Sequence, residues 1–185
     1  MAIKVHGHPL SPAVKRVVAC LEEKSIPYEF VLIDLSIESR AITQYIAHAY
    51  ADKGTPLISN DPKKMAIVSI WTEVESQRFD GSASKLSFEI VVKPILGMTT
   101  DEGVVDHHQA TLAQILDVYE SRLSQSKYLG GDEFSLADLH HIPIINNLFG
   151  TKIKALFEAR PHVSAWCNDI LGRPAWQKVQ ASMKL

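Results

Sequence analysis

Ser135-Leu136-Ala137-Asp138 is the stretch of this 185-residue chain whose residue types and spacing speak most directly to chemistry. A serine followed three residues later by a carboxylate, just ahead of an apolar run, is the pattern of a helix N-terminus. The hydroxyl accepts from the amide three residues on, and the Asp138 carboxylate reaches back to the free amide of Ser135, a capping box with Asp in place of Glu or Gln. Phe134 and Leu139 stand where a hydrophobic staple would hold the entering chain. Ser11-Pro12 repeats the theme near the start of the chain, with a capping hydroxyl and a proline at the first helical position. The pairs His107-His108 and His140-His141 invite a metal reading. Neighbouring helical residues point about 100° apart, however, so neither pair chelates as an i, i+4 pair does, and no metal is expected. Cys20 and Cys167 lie in separate helical patterns without CxxC spacing, so both read as small buried side chains rather than a disulfide or zinc site.

These residues need elements to position them. Residues 3–7 and 30–33 read as short strands, and residues 14–24 between them carry an apolar helical face, which makes one βαβ unit. From Ser39 onward the patterns are helical, beginning with residues 39–50. The breakers Asp52-Lys53-Gly54-Thr55-Pro56 and Asn60-Asp61-Pro62 then mark a boundary. Beyond it Ala66, Ile67, Ile70, Trp71 and Val74 follow the spacing of one helix face, and Leu112, Ile115, Leu116, Tyr119 and Leu123 repeat it. Gly130-Gly131 precedes the capped helix, and Val163, Trp166 and Ile170 form a last stripe ended by Gly172-Arg173-Pro174. The division expected is a small α/β part over residues 1–51, a linker over 52–63 and an all-helical bundle over 64–185.

Composition bounds the function. With 46% hydrophobic and 22% charged residues the chain can bury a sizeable core. A formal charge of −2, with Lys63-Lys64 as the one adjacent lysine pair, argues against a nucleic-acid surface. The first residues lack an apolar secretory core and no apolar run is long enough to cross a bilayer, so the expectation is a cytoplasmic protein without membrane partners.

The order of elements, together with Ser11-Pro12 after the first strand, Glu38-Ser39-Arg40-Ala41-Ile42 opening a helix, and the Ser135 to Asp138 box, resembles the soluble glutathione transferases. The likeness is to the plant phi class, through residues 38–47, Asp117-Val118-Tyr119-Glu120 and residues 134–143, and it extends to Trp176. The resemblance implies a thioredoxin-like N-terminal domain that binds glutathione, a helical C-terminal domain that supplies most of the second-substrate pocket, and a homodimer. Glutathione is then a co-substrate, with no further cofactor. Carried over, Ser11 is the catalytic hydroxyl: it donates to the glutathione sulfur and favours the thiolate, helped by the positive end of the helix that starts there. A thiolate is the nucleophile that conjugation needs. Glu38 and Ser39 hold the γ-glutamyl end, Ser39 and the helix amides meeting its carboxylate and Glu38 its ammonium. Arg40 is assigned to structure or the dimer contact. Phe88, Val92 and Leu96, at i, i+4 and i+8, line the electrophile pocket together with Leu10 and Pro12, although a core stripe has the same spacing. The activity implied is conjugation of glutathione to apolar electrophiles, with a possible peroxidase side activity. The alternative is a non-catalytic carrier of flavonoid-like or indole-like molecules.

One departure from the family pattern is large. After Asp34-Leu35-Ser36 the phi pattern continues through a helix, a cis-proline turn and two more strands, on the order of 30 residues, before reaching the Glu-Ser-Arg motif. Here Ile37 and Glu38 follow at once, so about half of the thioredoxin-like domain is missing. In the family's strand order 2-1-3-4 the ends to be joined lie about three strand spacings, or ~14 Å, apart. A single peptide step covers ~3.8 Å. The expectation is therefore a connecting segment of that length left out between Ser36 and Ile37, the alternative being a true deletion with a rebuilt N-terminal domain.

Overall fold

A computed structural model describes residues 3–9, 11–32 and 39–183 of the chain. Strand β1 (Ile3–Gly7) alternates as a half-buried strand should, with Val5 and Gly7 inward and Lys4 and His6 outward. It pairs in parallel with β2 (Tyr28–Leu32), in a register running from Ile3 opposite Tyr28 to Gly7 opposite Leu32. Parallel neighbours need a crossover, and α1 (Pro12–Glu23) supplies it, burying Val14, Val17, Val18 and Leu21. Gly7 is required by this packing: a Cβ there would run into the side chain of Val14. After α1 the chain reverses at Ser25, whose φ of 52° is left-handed.

Helix α2 (Ser39–Ala49) packs on α1, and the Cys20 thiol meets the Thr43 carbonyl at 3.7 Å. Among the described residues the sheet has two strands, in the order β1-β2. The expectation of an omitted connecting segment counted one peptide step. Seven steps separate Leu32 from Ser39, a reach of roughly 23–25 Å, so a continuous 185-residue chain can pass directly from β2 to α2. The Ser36-Ile37 junction itself lies outside the described residues.

The bundle begins with a long rod. Helix α3 (Pro62–Val74), a π-helical turn (Glu75–Phe79), α4 (Asp80–Ser87), a second π-helical turn (Phe88–Val92) and the short α5 (Lys93–Ile95) follow one another without a break. Asp61 caps its start, accepting from the amides of Lys63 at 2.8 Å and Lys64 at 3.1 Å. The face expected from Ala66 and Ile70 is displaced: Ile70 is 58% exposed, and the inward line runs through Val68, half-buried Trp71, Glu75 and Phe79. That line carries a carboxylate at a core position, which an apolar template rejects.

Helix α6 (Glu102–Leu123) buries Leu112, Leu116, Tyr119 and Leu123 as its pattern requires. The capped segment is a single turn, α7 (Leu136–Leu139), and α8 (Ile142–Phe149) resumes after His140-His141. The break has a local cause, because Pro143 has no N–H to continue the ladder. Helices α9 (Lys154–Glu158) and α10 (Pro161–Leu171) complete the bundle, and α11 (Pro174–Ser182) returns to pack on α1. Ahead of α11, Arg173 donates from Nη2 to Glu23 Oε2 at 2.8 Å. The small sheet is thus held by helices from both ends of the chain. Replacing Gly7 by Ala is expected to lower unfolding stability by about 1–3 kcal/mol through overpacking, and adding Val14→Ala should recover part of the loss in urea titrations.

Candidate functional site

The Ser11 side chain caps α1. Its φ of −71° and ψ of 119° place it just outside the helix, and its Oγ accepts from the Val14 amide at 3.5 Å. That bond is long, and because it occupies only an oxygen lone pair the hydroxyl keeps its own proton to donate. Ser11 and Pro12 are half-buried, and the first turn of α1 carries no acidic side chain to answer the helix dipole. Burial lowers the pKa of Lys15 on the next turn.

Five residues along α1, Arg16 enters a buried charge cluster. It donates to Glu75 Oε1 at 3.1 Å, to Asp80 Oδ1 at 3.0 Å and, from Nε, to the His140 carbonyl at 2.7 Å. Arg40, in the first turn of α2, donates to Glu75 Oε2 at 2.7 Å and to Oε1 at 3.0 Å, and lies 3.1 Å from Asp80 Oδ2. Burial works to raise the pKa of Glu75, but the hydrogen bonds from Arg40 and the charge of Arg16 outweigh it and hold the carboxyl below its ordinary value. Asp80 is held low in the same way, against burial, by Arg16, Ser84 and Arg40. The starts of α1 and α2 therefore converge on one pair of carboxylates. Ser39, the first residue of α2 and the chain neighbour of Arg40, is buried. Arg40 is held in this cluster by both carboxylates.

Sequence periodicity could not find the cluster. Residues 75 and 80 are five apart, which on an α-helix separates them by about 140°. The π-helical turn closes that gap, since the Asp80 amide donates to the Glu75 carbonyl and stacks one carboxylate on the other.

The Ser135–Asp138 capping box forms, with the Ser135 amide donating to Asp138 Oδ2 at 3.0 Å and its hydroxyl donating to the same oxygen at 3.1 Å. Asp138 does more than cap. Its other oxygen accepts from the Leu129 amide and from Trp166 Nε1, both at 3.0 Å. Burial pushes its pKa up to about 6 in spite of these donors. The two adjacent histidines are hydrogen-bonded core residues. His141 Nδ1 donates to the Ala137 carbonyl at 2.7 Å, so its Nε2 accepts from Tyr119 at 2.8 Å. Thr43 gives its own proton to the Arg40 carbonyl, so His140 Nε2 donates to Thr43 Oγ1 at 2.8 Å. Burial depresses both imidazoles, His140 to about 3 and His141 to about 4. Both cysteines are buried, and burial pushes the Cys20 thiol up to about 12.

Phe88, Val92 and Leu96 sit far from Ser11 in sequence and on another element. Phe88 opens the second π-helical turn and is 43% exposed, Val92 closes it half-buried, and Leu96 follows α5 at 63% exposure. Glu38 and Leu10 lie outside the described residues. A cavity of about 390 Å³ with a mixed lining runs beside the start of α2, with Arg40, Gln44, Thr72 and His140 alongside Met65 and Val68.

Known proteins resemble this chain over its length. The family description "Glutathione S-transferase, C-terminal domain" matches residues 79–174. A glutathione S-transferase of Hyoscyamus muticus is 55% identical over 206 aligned positions, covering 96% of this chain and 97% of the relative. Since 96% of 185 residues is about 178, about 28 of those 206 positions hold no residue of this chain. Among solved structures, glutathione S-transferase III in its apo form superposes with a TM-score of 0.95 at 40% identity, covering 100% of this chain and 98% of that one. Glutathione S-transferase I from mais, in complex with an atrazine glutathione conjugate, superposes with a TM-score of 0.89 at 34% identity, covering 99% and 98%.

Two measurements check this site. Glu75→Gln leaves the two guanidiniums half-answered and should lower stability by about 3–5 kcal/mol in denaturant unfolding. The pH dependence follows from the buried imidazoles. Below about pH 6.5 the unfolded chain takes up protons that folded His140 and His141 refuse until pH 4 or lower, so the stability present above pH 6.5 is lost on acidification. Asp138, protonated in the fold below about pH 6, works the other way between pH 6 and 4. Two histidines against one aspartate leave a net loss of roughly 2–3 kcal/mol from pH 7 to pH 5. A urea midpoint that held or rose over that interval would contradict buried neutral histidines.

Proposed function

Because the chain belongs to the phi class of plant glutathione S-transferases, we propose that Ser11 is the hydroxyl that stabilises the glutathione thiolate for attack on apolar electrophiles. The observation that carries this reading is the loosely held N-cap. Ser11 Oγ accepts from Val14 at the limit of hydrogen-bond length, stands half-buried, and faces the positive end of a helix with no acid in its first turn. A thiol placed there gives up its proton more readily than in water, because the amide ends and the donated hydroxyl proton favour the anion. The thiolate then attacks the electrophilic carbon, forming the C–S bond as the leaving group departs or the electron pair moves onto an activated double bond.

In this reading Ser39 and the amides of α2 receive the γ-glutamyl carboxylate, with Glu38 beside the ammonium. Pro12, Leu10, Phe88, Val92 and Leu96 border the second substrate. The atrazine glutathione conjugate held by the mais relative is a product of this class. Glutathione serves as co-substrate without another cofactor, the active form is a homodimer, and the compartment is the cytoplasm. No helix among the described residues is long and apolar enough to cross a membrane. The domain division at residues 1–51, 52–63 and 64–185 belongs to the same reading.

One observation favours the second reading, a ligand carrier: the two-stranded sheet, together with the roughly 28 aligned positions that hold no residue here, removes part of the glutathione cradle the family implies. Ser11→Ala separates the two. For the transferase, kcat/KM with a chloronitrobenzene electrophile should fall about 100-fold, or ~2.7 kcal/mol. Stability should drop by only about 0.5–1 kcal/mol from the lost cap. Turnover near that of the unsubstituted chain sinks the serine assignment. Tight binding of apolar ligands with no conjugate formed in saturating glutathione selects the carrier.

A further inference from the structure

Of the two cations on α1, Arg16 is answered by Glu75 and Asp80, while the Lys15 ammonium makes no hydrogen bond or ion pair among the described residues. Lys15 is half-buried, and burial alone lowers its pKa, with no carboxylate beside it to oppose the shift. A partly dehydrated ammonium without an acceptor is a cost that the fold leaves standing. Lys15 walls a cleft of about 230 Å³ between α1, α8 and α11, with Asn146, Trp176, Val179, Gln180 and Met183 around it. The lining is mixed, and no carboxylate belongs to it. Asn146 Oδ1 accepts from Trp176 Nε1 at 3.2 Å and from Gln180 Nε2 at 2.6 Å, so the Asn146 carbonyl is spent while its side-chain NH2 has no acceptor among the described residues. Two unanswered donors, one of them charged, beside Trp176, Val179 and Met183 suit a ligand that carries an anion on an apolar body.

The cleft adjoins Ser11 along the helix. The Lys15 amide donates to the Ser11 carbonyl at 3.0 Å, so Lys15 stands one turn, ~5.4 Å, into the helix that Ser11 caps. That rise is the scale of a single aromatic ring. We propose that Lys15 receives a carboxylate carried by the electrophile, so that aryl electrophiles bearing an acid are preferred over their neutral counterparts. The assignment rests on the transferase reading of Ser11 and adds to it a substrate class and a residue that selects it. The bond-making is unchanged: the glutathione thiolate attacks the ring carbon that bears the leaving group, the C–S bond forms, and the leaving group departs with its electron pair, while Lys15 keeps its protons throughout. Glutathione is the other source of a carboxylate, at its glycyl end. The lining favours the electrophile, because a glycyl carboxylate brings no apolar body to Trp176, Val179 and Met183.

The test uses the full chain with a chloronitrobenzoate and its methyl ester, which share the reacting carbon and differ in charge. Lys15→Met keeps the length of the side chain and removes its charge, and it should lower the acid-to-ester ratio of kcat/KM about ten-fold. Lys15→Arg keeps the charge and should hold that ratio within about two-fold of the unsubstituted chain. A ratio unchanged in Lys15→Met, or lowered equally in Lys15→Arg, overturns the proposal. So does a rise of about ten-fold in the KM for glutathione with the ratio unchanged, which would assign Lys15 to the glycyl carboxylate. Isothermal titration of the acid and the ester, without glutathione, keeps the result separate from the fate of the transferase reading. If neither electrophile is conjugated, that reading fails, and an about ten-fold loss of affinity for the acid in Lys15→Met, without a like loss for the ester, still assigns the anion to Lys15. Equal affinities of the two chains for the acid overturn the assignment in either case.

Discussion

Glu75 carries its charge at a position closed to water, and three parts of the chain are arranged around it. A carboxylate buried without partners costs several kcal/mol, so the rod that holds Glu75 can close on the N-terminal helices only if Arg16 and Arg40 arrive together. Such a cluster adds little net stability over an apolar packing of the same volume; its contribution is direction. The planar forks of two guanidiniums accept few approaches to two stacked carboxylates, and Arg16 turns its Nε–H to the His140 carbonyl. The starts of α1 and α2, where Ser11 and Ser39 sit, are oriented by that requirement.

A second constraint comes from Asp138. What begins as a helix cap becomes the point where the loop at Leu129, the start of α7 and the indole of Trp166 in α10 meet. Tyr119, His141, Phe79 and Trp166 pack around one another beside it, with Tyr119 stacked near Phe79 at 6.1 Å and edge-on to Trp166 at 6.1 Å. A two-stranded sheet is marginal on its own. Here it borrows its stability from α1, whose other faces are covered by α2, α8 and α11, and from the Arg173 to Glu23 pair that ties the end of the chain to the end of α1.

The shortened sheet shifts weight within the molecule. Among the described residues strand β1 is an edge, the apolar sides of α1 and α2 border a groove, and the chemistry expected of the N-terminal part rests on two helix starts. Helix starts suit that task, because they present unpaired amides whatever lies beside them.

Local order was legible in the sequence. The Ser135–Asp138 box, the Ser11-Pro12 start, both strands and the stripes of α6 and α10 depend on contacts three or four residues away, which side-chain type and spacing determine by themselves. The family could be read from the same residues, since its motifs are such local devices in a fixed order. Other features were decided only in three dimensions. Val68 rather than Ile70 faces the core because the inward line of the rod includes Glu75, a residue whose burial makes sense only once Arg16 and Arg40 are beside it. Asp80 joins it through a π-helical turn that no 3.6-residue template contains, and His140 is kept neutral by burial and bonded to Thr43, 97 positions away. Spacing along the chain records which groups can cap or face one another nearby, whereas a buried charge is specified by partners that the fold alone brings within 3 Å.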